Sequence, residues 1–204
     1  MQLMQRNPDL AAYLAADEVT GHEHPLVRET ATRLRAETAD AYSYVRAAYE
    51  FVRDTIPHSF DVNDPRVTWR ASDVLGLRTG ICYAKSHALV ALLRAESLPA
   101  GLCYQLLAAA DGTGPMVVHG LIAVRLPGRT DWSRLDPRGN RPGVDARFAP
   151  ESERLAFPLR PEFHERDHEV LYDVPHPAVL SALKAAPDAD RLRRALPTEL
   201  SATA

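Results

Sequence analysis

The chain has two cysteines in 204 residues, Cys82 and Cys103, too few for a disulfide framework. It has no surplus of basic charge either: 24 Lys and Arg face 27 Asp and Glu, a formal charge of −3, which argues against a nucleic-acid partner. Its longest cationic cluster is "RLRR" at Arg191–Arg194. No window approaches the ~18 apolar residues of a membrane span. The start, "MQLMQRNPDLAAYLAAD", has no apolar core of secretory length and is broken by Asn7, Pro8 and Asp9. These absences predict a soluble protein of a reducing compartment, the cytoplasm, with no membrane partner and both thiols free. Thiol reactivity then becomes the question.

What is present is ordinary globular composition, with 46% hydrophobic and 25% charged residues, and the length suits one domain with a sizeable core. The first 57 or so residues read as helical. "PDLAAYLAAD" predicts a short helix with Pro8 in its first turn. "HPLVRETATRLRAET" and "DAYSYVRAAYEFVRDTI" place apolar residues at helical spacing. "ASDVLGLRTG" predicts a further short helix, with Ser72 or Asp73 as cap and Gly76 or Gly80 as its end. A helix from Cys82 to Glu96 follows. It is apolar on every side from Ala88 to Leu93, the mark of a helix buried all round. After Pro99, "GLCYQLLAA" and "MVVHGLIAVRL" read as strands separated by the turn "DGTGP", and "WSRLDPRGN" as a third strand ending in a turn. Helices first and strands later predict an α+β fold with an antiparallel sheet. Residues 138–175 are irregular and rich in Pro and Arg, although "EVLYDVP" reads as a strand. The end predicts one or two short helices and a frayed tail. The expected division is a domain at 1–175, with its core at 40–140, and a helical tail at 176–204.

Cys82 stands just before the apolar helix instead of within it. Backbone N–H groups and the macrodipole at a helix mouth favour an anion, and a thiol placed there ionises more easily. Gly80 leaves room for a close approach. Cys103, inside an apolar strand, fits a buried core cysteine. A nucleophilic cysteine needs a base within hydrogen-bond reach, and the base needs an orienting acceptor. His87 is five residues along the helix, roughly 140° off the face of Cys82. His119 lies on a strand, sharing a face with Val117 and Leu121, and Asp136 ends the next strand. The alternatives are a structural histidine and a turn-forming aspartate before Pro137. The order is more telling than any one residue: a helix mouth, then two successive strands, 37 and then 17 residues apart.

A rival pattern is "HERDH", His164–His168. On a helix it would place His164 and His168 on one face for zinc, with Glu165 as general base. Its two middle positions, Arg166 and Asp167, are charged where such a helix is normally apolar. No third ligand, His176 or Glu199 included, has a recognisable spacing.

"ASDVLGLRTGICYAKSHALVALLRAESLPAGLCYQL", "HGLIAV" and "WSRLDPRGN" together resemble the transglutaminase-like superfamily, over roughly residues 10–140. The shared features are a Gly-x-Cys leading into a helix, a histidine on a strand, and a tryptophan, here Trp132, shortly before "LDP". "ESLPAG" departs from the run often found there. The resemblance implies a papain-like α+β fold and a catalytic triad carried over to Cys82, His119 and Asp136. It implies acyl transfer from, or hydrolysis of, a peptide or protein amide through a thioester, with no cofactor. Trp69 and His58 are candidate side-chain donors to the oxyanion, beside the backbone N–H of Cys82. A catalytically silent papain-like binding module is the second expectation, and a zinc metallopeptidase using His164, Glu165 and His168 the third.

Overall fold

Helical spacing in the first third becomes three helices, α1 (Pro25–Ala36), α2 (Ala41–Thr55) and α3 (Ala71–Leu77). They belong to a computed structural model that describes residues 2–109 and 112–201. Asp111 of the expected "DGTGP" turn and residues 202–204 of the expected tail lie outside the described residues. Pro25 opens α1, and the His24 ring accepts the Leu26 N–H there. Asp40 and Ser43 form a reciprocal capping box on α2. Each helix turns its apolar stripe inward, Val27, Ala31 and Leu34 from α1 and Tyr44, Val45, Ala48 and Val52 from α2.

The ends of α3 differ from expectation. Neither Ser72 nor Asp73 caps it: Arg70 is the N-cap residue and makes no side-chain cap bond. The Ala71 N–H is instead taken by the Val19 carbonyl at 2.8 Å, so a distant segment does the work of a local cap. Gly76 lies inside the helix, and Arg78, at φ 54°, ends it. The segment expected as a first short helix is a 3₁₀ turn, Leu10–Tyr13, capped by Asp9.

The helix α4 (Cys82–Ala95) runs through the centre, every side chain from Cys82 to Arg94 buried. The helices α1, α2 and α3 pack against it, and so do strands β2 (Ala100–Leu107) and β3 (Val117–Val124). Two buried basic side chains on α4 spend their N–H donors on backbone carbonyls. Lys85 Nζ donates to Ile56 O at 2.5 Å and Arg53 O at 3.2 Å, sealing the C-terminal end of α2. Arg94 donates to the carbonyls of Ala15, Ala100 and Asp173.

The sheet has the order β1-β5-β2-β3-β4, completed by β4 (Ser133–Leu135), β5 (Arg166–Tyr172) and β1 (Met4–Gln5). The pairs β2–β3, β2–β5 and β3–β4 are antiparallel, but β1 joins β5 in parallel. The sheet is therefore mixed at one edge, where an all-antiparallel one was expected. Alternation sends Leu102, Tyr104, Ile122 and Val124 toward the core around α4. Cys103, Leu121 and Ala123 face a second cluster with Tyr13 and Leu171, so Cys103 is a core residue. Burial pushes its thiol well above the ordinary range. Two short helices, α5 (Pro177–Ala185) and α6 (Ala189–Arg194), follow, and Val179, Leu183 and Leu192 join the main core. "HERDH" is not helical. A 3₁₀ turn ends at Phe163, His164 follows at φ 59°, and β5 begins at Arg166. His164 and His168 therefore do not share a helix face. Among the described residues no group of three or more His, Cys, Asp or Glu is placed to hold a metal ion, and no helix is long and apolar enough to cross a membrane.

Candidate active site

Cys82 is the first residue of α4, and the N-cap residue, Ile81, offers its first-turn N–H groups no side-chain acceptor. Those donors and the positive end of the helix dipole are left for an anion. β3 runs past this mouth because Gly120 lets it. A Cβ at Gly120 would meet Tyr83 Cδ1 at 2.6 Å and Tyr83 Cα at 3.3 Å. The Tyr83 hydroxyl in turn donates to the Val118 carbonyl. This close crossing sets His119 beside Cys82.

The imidazole is held from the other side. His119 Nε2 lies 2.8 Å from Asp136 Oδ2, which leaves Nδ1 as the ring nitrogen for Cys82. Asp136 follows β4 directly and is wholly buried. Its carboxylate also accepts the Arg138 N–H at 3.1 Å and the Ala156 N–H at 3.0 Å. Burial would raise the Asp136 pKa, but the charge and hydrogen bond of His119 and the two backbone donors hold it below the ordinary value. Burial would lower that of His119. The Asp136 carboxylate first, and Cys82 next, outweigh it and push the imidazole up to about 10. The Phe157 ring closes over His119 edge-on, with centroids 5.1 Å apart.

Cys82 and His119 line one cavity of about 580 Å³. His58 lines it too; Trp69 does not. The partly buried Trp69 ring instead lies by the Arg70 guanidinium, 3.8 Å from its centroid, and the Lys184 ammonium, at 4.3 Å. His58 is 8% exposed, and its Nδ1 is buried with no hydrogen-bond partner among the described residues. Burial first, and the Arg138 charge next, push His58 down to about 3 and keep it neutral. His87 is turned away, its Nδ1 2.8 Å from the Trp69 carbonyl.

The cavity also has walls that sequence reading missed. Arg138, Arg141, Phe157, Arg160, Glu165 and Leu196 all border it. The only local signal was "DPRGN", where Arg138 follows the Asp-Pro turn. The others arrive through long-range contacts.

A buried helix offering a cysteine at its mouth to a strand-borne histidine, inside an α+β frame, defines the papain-type fold. Residues 28–137 match the transglutaminase-like superfamily, and the chain belongs to it. A provisionally assigned cysteine protease from Cytophaga hutchinsonii superposes with a TM-score of 0.52 at 20% identity, over 65% of this chain and 43% of that one. The periplasmic domain of TgpA from Pseudomonas aeruginosa aligns at 21% identity and a TM-score of 0.47, over 63% of this chain and 47% of that one. The chain thus spans less than half the length of either structure. No curated protein matches it in sequence.

Proposed function

We propose that this protein is a cysteine-dependent acyltransferase or hydrolase acting on an amide of a peptide or protein. The observation that carries the reading is the orientation of His119. Its Nε2 is committed to a buried carboxylate at 2.8 Å, and its other nitrogen is left for Cys82 in the same cavity.

In this reading the Cys82 proton rests on His119, and the thiolate attacks the carbonyl carbon of the amide. The tetrahedral oxyanion is met by the Cys82 backbone N–H, with His58 as the side-chain donor in the cavity. Collapse breaks the C–N bond, the imidazolium gives its proton to the leaving amine, and a thioester remains on Cys82. Water, or an amine in the transfer reaction, then attacks the thioester and gives a proton to His119. The sulfur leaves as thiolate, and the imidazolium keeps the proton for the next cycle. Asp136 fixes the ring orientation and stabilises the imidazolium throughout.

The test is to label intact protein with an electrophilic acyl probe and map the modified residue by mass. Modification at Cys82 that disappears in His119→Ala supports the reading. Labelling elsewhere, or labelling indifferent to His119, would leave a binding module as the better description.

A further inference from the structure

We propose that the substrate carries a carboxylate close to the amide that reacts, and that Arg141, backed by Arg138, receives it. This rests on Cys82 being the nucleophile. The observation behind it is a local imbalance of charge on one wall of the cavity.

Behind that wall the Asp61 carboxylate serves two guanidinium groups that line the cavity. Arg138 grips it with both terminal nitrogens, at 2.7 and 2.9 Å, and is almost wholly buried. Arg141 comes second: its Nε stands 3.5 Å from an oxygen already bonded to Arg138, and its side chain is 51% exposed. Among the described residues Arg141 has no other carboxylate within ion-pair distance. A third cation, Arg193, sits 4.2 Å above the Phe60 ring at the same side, with no carboxylate in reach among the described residues. Elsewhere around the cavity Arg160 and Glu165, 2.6 Å apart, compensate one another. Asp136 lies behind His119 and is matched by it.

The Asp61 wall therefore keeps a positive surplus in a protein whose overall charge is −3. It is a feature of the cavity and does not reflect a basic surface. The neutral His58 adds no charge, but its unpartnered, buried Nδ1 lies in the same cavity and asks for a polar group from the ligand. Leu107, Val117 and Leu196 make the remainder apolar. A cavity so divided suits a molecule with one anionic end. A guanidinium whose own carboxylate is already shared is suited to carboxylate recognition.

The experiment uses two reagents of similar size, iodoacetate and iodoacetamide, both displaced at carbon by a thiolate with loss of iodide. The ratio of their rates at Cys82, divided by the same ratio for 2-mercaptoethanol, a thiol with no other charged group, separates the charge around Cys82 from the reactivity of the thiol. We expect it to exceed one by about tenfold at low salt and to fall as salt rises. Arg141→Gln should lower it several-fold and Arg141→Glu further, leaving only the share due to the His119 imidazolium. A ratio that neither substitution moves, whatever its size, overturns the carboxylate site. A Cys82 that reacts with neither reagent instead overturns the nucleophile itself. Protection of Cys82 by N-acetylglutamate α-amide would place the carboxylate on a side chain, and protection by N-acetylglutamine on a chain terminus. Protection by neither counts against the proposal.

Discussion

His119 Nε2 stands 2.8 Å from Asp136 Oδ2, and the same oxygen accepts the Ala156 N–H at 3.0 Å. The histidine is thus oriented by a carboxylate that a later segment of the chain also holds. Asp136→Asn removes the charge and presents an N–H₂ where two donors already point. Acyl-probe labelling at Cys82 should slow by about 10³- to 10⁴-fold. Labelling rates on the folded fraction, with unfolding curves alongside, separate this from lost stability.

Gly120→Ala tests the crossing that brings His119 to the helix. The new methyl would press on Tyr83, including its backbone Cα at 3.3 Å, so α4 must shift. Overpacking of this kind costs about 1–3 kcal/mol. Denaturant unfolding should show that loss, and Cys82 labelling should fall as well, because Tyr83 is its immediate neighbour.

Lys85→Met keeps most of the side-chain volume and removes the donor to Ile56 and Arg53. Two buried carbonyls at the end of α2 lose their partner. We expect a destabilisation of about 1–3 kcal/mol by urea titration. An unchanged midpoint would mean that these carbonyls do not depend on Lys85.

His87 predicts acid sensitivity away from the site. Burial first, against the favourable Trp69 carbonyl, pushes its pKa from 6.5 to about 4. As pH falls below 6.5 the unfolded chain takes up this proton and the folded one does not, so stability declines until about pH 4. The contribution lost is on the order of 3 kcal/mol. Thermal unfolding between pH 7 and 4 should show a shallower decline in His87→Gln than in the unaltered protein.

The elements legible in the sequence carry their signal locally. Cys82 at the mouth of an all-apolar helix, and His119 and Asp136 on successive strands, could each be read within about ten residues. Other features form through distant contacts. The strand β1 is two residues long, and its partners Val170 and Leu171 lie at the other end of the chain. The start of α3 depends on Val19, not on Ser72 or Asp73. Trp69 and His58 flank the same Pro- and Asp-rich loop, and only the fold separates the ring outside the cavity from the one that lines it. "HERDH" carries the letters of a helical zinc motif, yet the pairing of β5 with β2 makes its second half a strand.

The family match stops at residue 137, one position past Asp136. Much of the cavity wall comes later: Arg138, Arg141 to Val144, Ala156 to Pro158, Arg160, Glu165 and Leu196. Beside His119 the Val118 N–H is taken by the Pro197 carbonyl, so the end of the chain closes that edge of β3. In the proposed reading the reacting groups thus lie before residue 137, and much of the wall that would meet a substrate lies after it. Exchanging the segment after residue 137 between relatives would be expected to change what is bound while leaving the reacting atoms in place.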